Sequence, residues 1–477
     1  MNARPPWLPF LLMVPYLGML LWTLWNMDYN LAWVTVILPL AAYGAYLSVS
    51  NFRDYLFLLV FMTPLSINLV NIGSGVGLSL PMEIMMGLAA ILGVIYFLWD
   101  GLPPAKLLKH PVSIIILVQF LWIIVTTITS TYHSISFKFT LARLAYLVVF
   151  YLLFGKLFLQ GNHVRRFIWT YALGLVPIMI YSIFHLGQIG YGRRFSPEMA
   201  EPFFDDHTVF GACMAMLIPV LFVWGWNRKV HLEGLRFPKL IWAVLGLALI
   251  CTAISFSRAA WFSLIGAGIF YLLIRIKISF RAVVAIFASL VILGFIFQDP
   301  IVERMQKNKN VSGEDILATA ASVTNVSSDE SNAERLNRWS CAVRMGQDKP
   351  FLGFGPGTYE RNYPDYQILT EMTRISSKTG DRGDAHSEYL TAFSEQGIPG
   401  LLIWIGMVFT LIWTGLRTHY RDPDSPEGRL ALGILLGLFT YFIHGMVNSF
   451  LDIEKAASLF WGLSAALVSL DCKQRVI

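Results

Sequence analysis

Apolar stretches of about twenty residues follow one another along almost the whole chain, starting with Pro9 to Trp25. Inside a bilayer every backbone N–H and C=O must be satisfied by the protein itself, so stretches this long and this apolar span as α-helices. Candidate spans fall near residues 7–25, 31–49, 55–72, 82–99, 111–130, 138–158, 166–187, 207–226, 239–256, 259–276, 281–298, 398–416, 429–448 and 456–470. The joins around Asn26–Asn30 and Ser255–Arg258 are the weakest divisions. The expectation is an all-α polytopic integral membrane protein with about 12–14 transmembrane helices. Composition agrees: of 477 residues, 56% are hydrophobic and 14% charged, against about 25% charged in soluble domains. The first run lacks a small-residue cleavage site and reads as a span, not as a removable signal peptide.

One long interval is polar. It divides the chain into an N-terminal membrane region, 1–298, a large loop, 299–397, and C-terminal membrane helices, 398–477. Within the loop, a helix is expected from about Asn332 to Gly346, opened by a Ser331/Glu334 capping box and closed by Asp348-Lys349-Pro350. Gly353-Phe354-Gly355-Pro356-Gly357 follows, a backbone able to bend sharply or approach a ligand. A second helix is expected to start at Asp384, hold His386 in its first turn and stop at Gly397 before Pro399. Gln306–Glu330 is polar, lacks apolar periodicity and receives no role.

Lysine and arginine set the orientation. With the N-terminus cytoplasmic, segments on that side hold 19 of the 36 Lys and Arg, and the loop holds 11. The remaining six are Lys138, Arg143, Arg193, Arg194, Arg258 and Lys455. The rule concerns short segments, so both termini are expected inside and the loop outside. The net charge of +6 follows from this bias and requires no nucleic-acid partner. Of the cysteines at 213, 251, 341 and 472, Cys341 alone falls in the loop, so no disulfide is expected.

The residues Arg338-Trp339, Pro350, Gly353-Phe354-Gly355-Pro356-Gly357, His386-Ser387-Glu388-Tyr389-Leu390 and Glu395-Gln396-Gly397 stand in that order beside a large loop. This pattern resembles the O-antigen ligase/O-antigen polymerase superfamily, bacterial membrane glycosyltransferases that use undecaprenyl-diphosphate-linked glycans. The resemblance is strongest over residues 335–400. It implies a metal-independent, inverting transferase without a cofactor. The donor would be an undecaprenyl-diphosphate-linked glycan, and the acceptor a glycan or lipid A-core hydroxyl. It also implies an inner-membrane location with a periplasmic site. Arg193 or Arg194, together with Arg258 and Arg338, would bind the substrate's lipid diphosphate. Elongation of another lipid-linked glycan, or transport without bond chemistry, are the alternatives.

Residue chemistry supports parts of this. Cations near bilayer depth are costly unless they face a cavity, an anion or a partner. A diphosphate would account for several at once, since guanidinium groups bind phosphate oxygens as a fork. Otherwise Arg258 is a turn residue that reaches the headgroups, Arg143 an intramembrane ion pair and Lys455 an anchor at the end of a span. His386 suits a general base, with a capping or hydrogen-bonding histidine as the structural alternative. Glu388 and Glu395, seven residues apart, share a helix face and would orient His386 or a sugar, or simply form a polar face. Trp339, Tyr359 and Tyr389 would stack on sugars or pack the loop. His444, inside an expected span, reads as a packing histidine. Asp205, Asp206 and His207, like Asp384 beside His386, lack metal-ligand spacing, so no metal is expected. No Walker-type phosphate loop appears, in keeping with a reaction that needs no nucleotide.

Overall fold

The computed structural model describes residues 42–69, 78–226, 239–296, 330–373, 376 and 383–474, with single positions at 16, 18, 19, 22 and 39. The described chain is helical apart from a small antiparallel hairpin, β1 (Ile67–Leu69) with β2 (Leu78–Leu80). The helices are α1 (Phe52–Met62), α2 (Met82–Asp100), α3 (Pro111–Ile128), α4 (His133–Phe158), α5 (His163–Ile189), α6 (His207–Trp226), α7 (Lys239–Ile254), α8 (Arg258–Arg275), α9 (Phe280–Ile296), α10 (Glu330–Asp348), α11 (Glu388–Arg421), α12 (Pro426–His444) and α13 (Glu454–Gln474). Eight of the described helices are long and apolar enough to cross a membrane: α2 to α6, α8, α11 and α12. The architecture is therefore an all-α polytopic membrane protein.

Local sequence explains where helices begin. His110 Nδ1 accepts from Val112 N ahead of Pro111, and Ser425 caps α12 ahead of Pro426. Proline is favoured there because its missing N–H would have no intrahelical partner. The centre of the fold is α6 and α13, which are buried along most of their length. Small residues permit this in α13: Gly462 lies directly under the Phe167 ring of α5, the close approach that membrane helices rely on.

Two sequence expectations change, and one is refined. The span expected at 55–72 is a helix that ends at Met62, followed by a turn and the β1 strand. Pro64 cannot supply the next helical N–H, and the Thr63 hydroxyl bonds back to Leu59 O at 2.8 Å. The helix end expected at Gly397 is a break in α11, whose two parts run on across a kink there. Gly397 makes the kink with φ 70°, and a Cβ there would collide with the Phe351 carbonyl. Ser331, expected as the helix cap, lies within α10, and Glu334 pairs with Arg338. The expected spans at 7–25 and 31–49, and the polar segment 306–329, fall largely or wholly outside the described residues.

Side-chain contacts define two ends of the bundle. At one end Thr131 N donates to Phe354 O (2.9 Å), Arg143 pairs with Asp452 (3.0 Å), Arg258 with Asn332 (2.9 Å) and Ser449 with Asp384 (2.7 Å). This end carries the 330–387 segment. At the other, the fully buried Asp471 meets Arg417, Arg421 and His110, and Lys156 pairs with Asp100.

Candidate functional site

Asn332, Arg335, Leu336 and Trp339 recur at helical spacing and form one face of α10. That face closes a cavity of about 460 Å³ against Arg193, the starts of α6 and α8 at His207 and Arg258, and the end of α12 at Ile443 and Met446. Three arginines from three separate segments, Arg193, Arg258 and Arg335, thus line one space. Arg258 is aimed by its Nη2 bond to Asn332 Oδ1. The turn before it is strained: Phe256 has φ 50°. Guanidinium groups gathered in one concave site suit an anion with several oxygens.

The adjacent arginines separate. Arg193 lines the cavity, whereas Arg194 lies over the Phe195 ring at 5.8 Å. Arg335 was not singled out from the sequence, although its four-residue spacing from Trp339 puts both on one helix face. Arg338 points elsewhere. It is 5% exposed, its Nε is 2.9 Å from Glu334 Oε1, and its Nη1 donates to Asp384 O at 3.1 Å. Burial alone would raise the Glu334 carboxyl, but hydrogen bonds from Ser376, Thr373 and Arg338 outweigh it and hold the group below its usual range. Arg338 therefore braces the segment that delivers His386. Gly383 passes so close that a Cβ there would strike the guanidinium.

His386 lies just before its helix, not in the first turn. Ser387 is the N-cap, its Oγ accepting from Leu390 N, and α11 begins at Glu388. His386 itself is left-handed, with φ 47°. Its backbone N donates to Asp384 Oδ1 at 2.9 Å, and its Nδ1 lies 3.2 Å from that same oxygen. Ser449 Oγ donates to the other carboxylate oxygen at 2.7 Å. Trp339 Nε1 donates to His386 O at 3.2 Å, so one residue belongs both to the cavity wall and to the histidine's surroundings. Nδ1 is buried while the side chain is 31% exposed, which leaves the exposure on the rest of the ring. Burial lowers the imidazole below its ordinary range; Asp384 opposes this, and Arg338 and Arg335 reinforce it. The balance favours the neutral ring.

Glu388 and Glu395 do not meet His386 but fix neighbouring backbone. Glu388 Oε1 accepts from Tyr441 OH (2.5 Å), Phe450 N (2.9 Å) and Leu451 N (3.0 Å). Glu395 accepts from Gly357 N (2.8 Å) and Tyr359 N (2.9 Å). The glycine-rich turn is therefore not open to an outside anion through those amides. It clamps α11 to the start of α4, where Ser136 Oγ donates to Pro356 O at 2.8 Å.

The remaining candidates have structural partners. Asp206 caps α6 through Thr208, and Asp205 accepts from Asn68. Among the described residues no group of three or more His, Cys, Asp or Glu is placed to hold a metal ion. His444 is buried and bonded to Asn448. Lys455, expected at a surface, is 4% exposed and paired with Glu454 at 2.7 Å. Arg143 forms the expected ion pair, with Asp452. Tyr359 is buried against Tyr363 and donates to Arg338 O, so of the three aromatics only Trp339 lines the arginine cavity.

Ile443 and Met446 also belong to a second space of about 460 Å³. Its walls are apolar side chains of α8, α9, α11 and α12, among them Phe270, Val408 and Phe439. A chamber lined by three arginines thus shares a wall with an apolar groove between membrane helices.

Residues 242–405 match the family described as O-antigen ligase. The matched stretch contains Arg258, α10, the glycine-rich turn and His386. No curated protein matches the chain.

Proposed function

Because the O-antigen ligase match supports placing this chain in the O-antigen ligase/polymerase superfamily, we propose that it transfers a glycan from undecaprenyl diphosphate to an acceptor hydroxyl. The observation that carries this is the shared wall at Ile443 and Met446. A chamber with Arg193, Arg258 and Arg335 shares that wall with an apolar groove, an arrangement that suits a ligand with a charged head and a long hydrocarbon tail. His386 would take the acceptor proton as the acceptor oxygen attacks the anomeric carbon. The bond from that carbon to the diphosphate breaks, and the three arginines stabilise the departing charge. A single in-line attack inverts the anomeric centre. Arg338, Glu388 and Glu395 act through the scaffold, holding the segments around the site.

The bias of 19 Lys and Arg against six supports an extracytoplasmic site, in bacteria the periplasmic face of the inner membrane, with both termini cytoplasmic. The acceptor proposed is a lipid A-core sugar; a polymerase would use the same donor site and a lipid-linked glycan acceptor. The test is reconstitution with a labelled undecaprenyl-diphosphate glycan and both acceptors. Label moving to lipid A-core supports ligation, and label building longer lipid-linked glycans supports polymerisation. Uptake across the vesicle without new bonds would refute both.

A further inference from the structure

His386 has a neighbour whose geometry goes beyond capping. Asp384 Oδ1 contacts both the His386 backbone N, at 2.9 Å, and the ring Nδ1, at 3.2 Å. The Nδ1 contact is within ion-pair reach without hydrogen-bond alignment, and Nδ1 is buried with no other partner. Catalytic hydrogen bonds are often loose before substrate arrives. Asp384 is itself tied down from two other elements. Ser449, between α12 and α13, donates to Oδ2, and Arg338 of α10 donates to the Asp384 carbonyl. The left-handed backbone of His386 shows how firmly this segment is held, since such a conformation persists where surroundings over-determine it.

We propose that Asp384 is a positioning residue for His386: its carboxylate, held by Ser449, keeps the proton on Nδ1 and leaves Nε2 to accept one from the substrate hydroxyl. The inference rests on His386 being the base. A neutral imidazole carries one N–H, and an ionised carboxylate only accepts, so the carboxylate selects the tautomer. The other charged groups acting on the ring are Arg335 and Arg338 from α10 and Asp206 from the segment before α6. Both guanidiniums disfavour an imidazolium. Asp384 is the adjacent negative charge that stabilises it when it forms.

Asp384→Asn removes that charge with almost no change of shape. Its amide oxygen still accepts the His386 backbone N–H, so the turn survives. The full-length protein in detergent gives two readouts: the pH profile of transfer, and the pH dependence of His386 carbethoxylation by diethyl pyrocarbonate, followed by peptide mass spectrometry. In Asp384→Asn the transfer plateau is expected to fall at least about tenfold. The acid limb and the modification midpoint should both move to lower pH, by roughly one unit. Ser449→Ala should move the midpoint in the same direction by less, and Asp384→Glu should move it back toward wild type. A lower plateau with both midpoints unmoved overturns the proposal, because a merely structural role predicts that pattern. If Asp384→Asn does not fold, an unmoved midpoint in Ser449→Ala overturns it. A shifted modification midpoint alongside full transfer by His386→Ala would support the positioning contact and reject His386 as base.

Discussion

Glu395→Gln tests the assignment of the glycine-rich turn as a clamp. Glu395 is 2% exposed, and its two oxygens accept from Gly357 N at 2.8 Å and Tyr359 N at 2.9 Å. A hydrogen bond contributes about 1 kcal/mol, and a buried donor left without an acceptor costs about 1–3 kcal/mol. Glutamine keeps one acceptor and turns an N–H₂ toward the other backbone donor. The expected local loss is therefore roughly 2–4 kcal/mol, at least ~30-fold in the opening equilibrium. Hydrogen exchange on the purified protein should show Gly357 and Tyr359 amides exchanging faster by that factor. Phe354 and Gly355 donate to the backbone oxygens of Ser394 and Glu395, so their amides serve as internal controls that stay slower. Transfer should remain measurable, since the carboxylate has no contact with His386. Unchanged exchange at Gly357 and Tyr359 would refute the clamp, and complete loss of transfer with normal exchange would return Glu395 to the chemistry.

Arg258→Ala should weaken donor binding about tenfold to a hundredfold, read by titration with the lipid-linked donor, and Lys should restore little because it lacks the planar fork. Arg193→Ala should behave alike while Arg194→Ala stays near wild type; the reverse ranking would mean that the cavity is misassigned. Met446 is 53% exposed on the wall shared by chamber and groove, so Met446→Trp should weaken a full-length polyprenyl diphosphate more than a short-chain analogue. Equal effects on both would remove the tail from the groove. Single cysteines at Leu369, 82% exposed at the loop end, and Asp424, 94% exposed at the other, should divide in intact spheroplasts. An impermeant thiol reagent should label only the former, and the opposite pattern would invert the topology.

Much of the fold follows from local sequence. Long apolar runs force helices in a bilayer, and α13 stays recognisable despite its serines because its small residues suit a crowded centre. The failure at 55–72 has a local cause in Pro64 that run length conceals. The site is legible only in part. Asp384 and Ser387 are both capping residue types three positions apart, and choosing the first misplaces His386 by a turn. The glycine-rich turn looked open to a ligand because its true partner, Glu395, lies 38 residues from Gly357. Arg335 and Arg338 sit three residues apart on α10, so spacing alone does not separate them. Which face looks into a cavity depends on segments near residues 193 and 258, far away in sequence.

The central claim is that one arginine-lined chamber binds the lipid diphosphate while His386 removes the acceptor proton. Donor binding and glycan transfer measured on the same purified His386→Ala sample test it most directly. Binding close to wild type, with transfer lowered about 10²–10⁴-fold, is the predicted result. Near-normal transfer would contradict the base assignment, and loss of binding together with transfer would make His386 part of the donor site or its scaffold instead.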